Sequence, residues 1–102
     1  MSNKRFENQV AIVTGAGRGI GEAIAKRLAA EGAKIAVVSR TESNSARTAD
    51  AINALDPDTA KPYAVDVADF DAVQKAGDQI LADFGRCDIL VNNAGITRDT
   101  LA

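Results

Sequence analysis

Four glycines, Gly15, Gly17, Gly19 and Gly21, alternate with other residues in the run Thr14-Gly15-Ala16-Gly17-Arg18-Gly19-Ile20-Gly21. Glycine lets a backbone turn tightly and lets a ligand approach without a Cβ in the way. An apolar run precedes the glycines and an amphipathic stretch follows them, which places them at a strand-to-helix junction. Unpaired N–H groups and the helix dipole favour a phosphate at such a junction. Two phosphate-binding templates fail here. A G-x-G-x-x-G starting at Gly15 needs Gly or Ala where Ile20 stands, and a P-loop needs Lys-Ser or Lys-Thr after its last glycine. The pattern that fits is T-G-x-x-x-G-x-G, with Thr14, Gly15, Gly19 and Gly21 in the fixed places.

The rest of the composition narrows the chemistry by subtraction. The 102 residues include no His, no Trp and one Cys, so there is no imidazole base, no His metal ligand and no Cys pair for zinc or a disulfide. A lone Cys87 makes a reducing cytoplasm the expected compartment. Lys plus Arg number 12 against 14 Asp plus Glu, a net charge of −2 without the broad cationic surface that nucleic acid requires. The longest apolar runs, residues 10–13 and 35–38, fall far short of the ~20 residues of a membrane span. Lys4 and Arg5 are followed by no apolar stretch of the secretory kind.

Short β-branched runs alternate with amphipathic stretches, as in βαβ units on a parallel sheet. Residues 9–14, 35–38 and 88–93 each hold a run of consecutive apolar positions, which predicts strands buried on both faces. Residues 63–66, behind Pro62, predict an edge strand. Helices are expected over 18–31, stopped near Gly32, over 43–55, and after the cap Asp69 as far as Phe84, with Gly85 at C′. Their predicted buried stripes are Ile20, Ile24 and Leu28; Ala46, Ala49, Ile52 and Leu55; and Val73, Gly77, Ile80 and Phe84. Glu22 and Lys26 are an i,i+4 pair. Gly77 inside a helix costs about 1 kcal/mol relative to Ala, and close contact between helix and sheet is the expected reason for it. The fold class is α/β, a Rossmann-like doubly wound parallel sheet with strand order 3-2-1-4, the first two helices on one face and the third on the other. The reversal between strands 1 and 4 opens a crevice, and the glycine run and Asn92 to Gly95 both arrive there.

With these residues in place the chain resembles the short-chain dehydrogenase/reductase family, whose cofactor motif is T-G-x-x-x-G-x-G. Asn92-Asn93-Ala94-Gly95 follows the fourth strand as the family's N-N-A-G does, and Asp66-Val67 follows the third like the family's adenine-contacting pair. The resemblance runs from about Gln9 to the last residue. It implies that Gly15, Gly17, Arg18, Gly19, Ile20 and Gly21 hold the pyrophosphate and the neighbouring ribose phosphate. Asp66 and Val67 would hold the adenine, and Asn93, Ala94 and Gly95 the ribose. Asp66 taken alone reads equally as a turn or cap residue.

Charge argues the choice of cofactor. A carboxylate at the end of the second strand would bond the 2′-hydroxyl of NAD and repel the 2′-phosphate of NADP. Ser39 and Arg40 stand there instead, and Arg18 can reach the same corner, so NADP(H) is expected. Residues 95–101, Gly-Ile-Thr-Arg-Asp-Thr-Leu, resemble the same stretch in 3-oxoacyl-[acyl-carrier-protein] reductases and acetoacetyl-CoA reductases. An acyl thioester, carried by acyl carrier protein or CoA, is the implied substrate; another member of the family is the alternative.

The family's Ser, Y-x-x-x-K and further Asn lie downstream of N-N-A-G, and this chain has none of them. Its one tyrosine, Tyr63, has Val four places on. No catalytic residue is assigned, and the chain alone is expected to be inactive. Residues 1–102 read as the N-terminal dinucleotide-binding part of a single Rossmann domain whose remainder lies elsewhere. A fourth strand with Ile89, Leu90 and Val91 would be an exposed apolar edge, so a further strand is expected beside it. By resemblance the intact protein is a homo-oligomer, a tetramer. The competing reading from another class is a dinucleotide-binding module without activity, or a fragment whose fourth strand docks on a second chain.

Overall fold

A computed structural model describes residues 5–93. The expectations for Ala94, Gly95 and the rest of the 95–101 stretch lie outside the described residues. Seven elements follow in order: β1 (Val10–Thr14), α1 (Gly19–Ala30), β2 (Lys34–Ser39), α2 (Glu42–Leu55), β3 (Ala60–Ala64), α3 (Phe70–Phe84) and β4 (Ile89–Asn92). The strands form one parallel sheet in the order β3-β2-β1-β4, the predicted one.

Alternation along β1 and β2 divides the core into two layers. Ala11, Val13, Ile35 and Val37 meet Ala25 and Ala29 of α1 and Ala49 and Ile52 of α2 on one face. Ile12, Ala36 and Val38 point the other way, where Ile80, Ala72, Ala76 and Phe84 of α3 cover them with Val65 and Tyr63. Ile35 and Val37 are fully buried, each stabilising the fold by roughly 2 kcal/mol. The helices therefore lie two on one face and one on the other, as the pattern predicts. α1 ends where Gly32 adopts φ 101°, with Ala33 N donating to Leu28 O, a Schellman closure. Gly85 ends α3 with φ 83°, its own N–H donating to Leu81 O at 2.8 Å in the simpler left-handed cap.

Several expectations change. The third strand begins at Ala60, ahead of Pro62, which pairs with Val37 inside it. Among the described residues only β2 flanks this edge, so proline's missing N–H costs the ladder little. The stripe of α1 is displaced by one position toward small residues, with Ile24 and Leu28 half-buried beside it, and that of α2 keeps Ala49 and Ile52 but turns from Ala46 and Leu55 to Ser45 and Thr48. Gly21, Ala25 and Ala29 are buried in α1 while Ile20 is 71% exposed; Ser45, Thr48, Ala49 and Ile52 are buried in α2 while Leu55 is 90% exposed. Small side chains let the helix backbones close on a sheet already filled by Val and Ile. In α3 the contact stripe is Ala72, Ala76, Ile80 and Phe84, and Val73 is exposed. A Cβ on Gly77 would meet nothing within 4 Å among the described residues, so close contact with the sheet does not explain that glycine. β4 is not buried on both faces, because Leu90 is 67% exposed at the open edge of the described sheet.

Candidate functional site

The glycine run folds into the turn from β1 to α1, and its four glycines answer to two constraints. Gly15 and Gly19 have φ of 64° and 63°, a conformation that strains any residue with a Cβ. Gly17 and Gly21 are required by space. A Cβ on Gly17 would lie 2.6 Å from Asn44 Cβ and 3.0 Å from Ser39 Cβ, and one on Gly21 would collide with the Gly15 carbonyl and come within 2.7 Å of Asn93 Nδ2. The loop is thus wedged between the ends of β2 and α2 on one side and the start of α1 on the other.

Two carbonyls of the loop are held by side chains from outside it. Asn93 Nδ2, buried at the end of β4, donates to Gly15 O at 3.3 Å. The next amide, Ala16 N, donates to Val38 O at 2.9 Å on the β2 side. In a trans peptide C=O and N–H point opposite ways, so these two bonds fix one peptide plane across β1. Arg47 Nη2, from α2, donates to Gly17 O at 2.7 Å. Thr14 hydroxyl faces β4, 3.2 Å from Asn92 Oδ1 and 3.3 Å from Val91 O.

The first-turn amides of α1 have no intrahelical acceptors, as in any helix. Arg18, at the N-cap with extended φ −167° and ψ 170°, supplies no side-chain cap. Glu22, the acidic residue of that turn, is bonded to Lys26 at 2.8 Å and lies 4.0 Å from Arg47. The Lys26 hydrogen bond, opposed by desolvation and helped by the charges of Lys26 and Arg47, holds the Glu22 carboxyl below its ordinary range. Its negative charge is therefore compensated beside the loop. Open amides, a Cβ-free approach and a positive helix end together fit a pyrophosphate.

The structure distributes the remaining candidates around the same end of the sheet. Ser39, buried, closes β2 and donates its hydroxyl to Thr41 O at 2.6 Å, so that proton is already engaged. Arg40 and Arg18 are exposed and take no ion-pair partner among the described residues. Asp66 builds the turn after β3, its Oδ1 accepting from Ala68 N at 3.0 Å, and Val67 beside it is exposed. Ile20 extends its side chain into solvent from the first turn of α1. Tyr63 lies at the far edge, donating to Asp83 Oδ2 at 2.6 Å; partial burial, followed by that bond, pushes its hydroxyl well above the usual tyrosine range. Arg47 and Asn44 were not among the candidates. In the sequence they are ordinary polar residues of an amphipathic helix, and only their i,i+3 spacing on the face that meets Gly17 distinguishes them.

A parallel α/β sheet in the order β3-β2-β1-β4, with a glycine-wedged turn at the reversal of strand order, defines a Rossmann-type fold. A family model described as short chain dehydrogenase matches residues 9–102. The 3-oxoacyl-[acyl-carrier-protein] reductase FabG of Escherichia coli K12 is 45% identical over 96 residues, 94% of this chain and 38% of that protein. A metagenomic short-chain oxidoreductase in complex with NADP superposes with TM-score 0.81 at 40% identity, covering 86% of this chain and 39% of the other. The 3-ketoacyl-(acyl-carrier-protein) reductase of Brucella melitensis, complexed with NADH, superposes with TM-score 0.78 at 40% identity, covering 83% and 33%. The chain belongs to the short-chain dehydrogenase family, and it spans less than two-fifths of the length of these relatives.

Proposed function

We propose that this chain is the cofactor-binding part of an NADPH-dependent short-chain reductase that, as a whole protein, reduces a 3-oxoacyl thioester to its 3-hydroxyacyl form. The observation that carries the cofactor half of this reading is the uncapped first turn of α1 behind a glycine loop whose Gly15 and Gly17 carbonyls are already tied to Asn93 and Arg47. The substrate half is supported by relatives named as reductases of 3-oxoacyl groups on acyl carrier protein. Solved relatives of similar resemblance are in complex with NADP and with NADH, and it is charge that favours NADPH here. Arg40 and Arg18 favour a 2′-phosphate, with no carboxylate at the end of β2 to repel it.

In this reading Gly15, Gly17, Gly19 and Gly21 leave room for the pyrophosphate, and the α1 amides of Gly19, Ile20 and Gly21 bind it. Arg18 and Arg40 bind the 2′-phosphate, with Ser39 offering a lone pair only. Asp66 and Val67 flank the adenine, and Asn93, Ala94 and Gly95 the ribose. When bound, the reduced nicotinamide supplies hydride. The proton for the carbonyl oxygen comes from outside these 102 residues, since Tyr63 is the single tyrosine and its hydroxyl is bonded to Asp83. Assembly as a homo-tetramer and a place as the first part of one larger Rossmann domain belong to the same proposal.

Titration of the chain with NADPH and NADH, followed by NADPH consumption in the presence of acetoacetyl-CoA, tests it. Tighter binding of NADPH without turnover is expected of the 102 residues, and turnover of the full-length protein. Failure to bind either dinucleotide overturns the cofactor reading. Binding without turnover in the full-length protein overturns the enzyme reading in favour of a binding module.

A further inference from the structure

We propose that Arg47 is a positioning residue for the glycine loop, holding the peptide between Gly17 and Arg18 in the orientation that serves a bound dinucleotide. The inference rests on the cofactor reading above, and it is carried by two independent contacts of α2. Arg47 Nη2 donates to Gly17 O at 2.7 Å, and one turn earlier on the same face Asn44 Cβ stands where a side chain on Gly17 would have to go. The loop is seated on α2 by shape at Asn44 and oriented by charge at Arg47.

The consequence follows from peptide geometry. Because C=O and N–H of a trans peptide are opposed, drawing the Gly17 carbonyl toward α2 turns the Arg18 N–H away from it. The Gly15 peptide obeys the same rule, its carbonyl toward Asn93 just past β4 and the Ala16 N–H toward Val38 on β2. A glycine peptide rotates easily, so without a tether the loop samples orientations that present a carbonyl to the phosphates. Each competing orientation lowers the apparent affinity by the fraction of loops that are competent. Arg47 also faces Glu22 at 4.0 Å, and Glu22 in turn holds Lys26 at 2.8 Å, so the guanidinium is steadied by a charge on α1.

A positioning role differs from a direct bond to the 2′-phosphate in what it predicts for the two dinucleotides. Dissociation constants for NADPH and NADH, measured on the full chain by titration, should rise by about tenfold and by the same factor for both in Arg47→Ala. Arg47→Lys, which keeps a cationic donor, should recover most of the loss. The thermal midpoint of the ligand-free variant should stay within a few degrees of wild type, since the Arg47 side chain is exposed. Unchanged affinities, a loss confined to NADPH, or a fall in thermal midpoint without any change in affinity would each overturn the proposal. A wild-type chain that binds neither dinucleotide overturns the cofactor reading and this inference with it, whereas binding that survives Arg47→Ala overturns this inference alone.

Discussion

Two helices start at the carboxyl end of the same sheet, on opposite faces, and their first turns are completed differently. α3 is self-contained: Asp69 accepts from Ala72 N at 3.2 Å, Asp66 accepts from Ala68 N at 3.0 Å, and Asp69 N donates to Asp66 O. α1 has no side-chain acceptor at its cap, and the side chains around it, Asn93 and Arg47, bind carbonyls of the preceding loop instead. A missing cap is not by itself the distinction, because α2 also starts without one. What sets α1 apart is that its open amides coincide with an approach free of Cβ atoms, enforced by positive φ at Gly15 and Gly19 and by crowding at Gly17 and Gly21. The end of α3, which only has to be stable, is closed by a carboxylate, and the end of α1, proposed to bind an anion, carries none at its cap.

Substitutions can break this contrast, and the largest effect is expected at Gly21. In Gly21→Ala the new methyl meets the Gly15 carbonyl, which is backbone and cannot swing aside. A stability loss of about 3 kcal/mol in urea denaturation is expected, together with loss of measurable dinucleotide binding. Next, Arg40→Asp should weaken NADPH by about tenfold more than NADH, since it exchanges attraction for repulsion at the 2′-phosphate alone; equal losses would remove Arg40 from that role. On the α3 side, Asp69→Ala should cost about 1 kcal/mol of stability and leave both dissociation constants unchanged.

Gly77→Ala should act in the opposite direction, stabilising by up to about 1 kcal/mol because the helix gains propensity and the methyl meets open space. Destabilisation there would reveal a surface packed against Gly77 by residues beyond those described. The smallest effect concerns acid. Tyr63 hydroxyl, then Gln79, hold the Asp83 carboxyl below its ordinary range. A depressed carboxylate contributes stability above the unfolded-state value, near about pH 4, and loses it as pH falls through the folded-state value. The small destabilisation from Tyr63→Phe should therefore be present at neutral pH and shrink in urea melts as the pH falls below the unfolded-state value and through the folded-state one.

Much of this architecture is legible in the residues themselves. Consecutive apolar positions at 10–13 and 35–38 announce central strands because parallel strands are covered on both faces, and Asp69 and Gly85 mark the ends of α3 by cap chemistry alone. The buried stripes were less legible, since Ile20 and Leu55 carry the stronger apolar signal while Gly21, Ala25, Ser45 and Thr48 face the sheet. There, distance of approach outweighs hydrophobicity, and that is a property of the packed layers. Pro62 pointed to an edge strand correctly but to its start wrongly, because an outer strand tolerates proline in its middle. The glycine loop was legible down to its register, whereas Arg47 was not, since its partner is a backbone carbonyl 30 residues away.

The central claim is that the first turn of α1, and not that of α3, is the phosphate site. Backbone amide chemical shifts recorded while NADPH is added to the isotope-labelled chain test it most directly. The account predicts large, saturable shifts at Gly17, Arg18, Gly19, Ile20 and Gly21, with the amides of Asp71 and Ala72 nearly still. Saturable shifts centred on α3, or spread evenly over both helix ends, would contradict it.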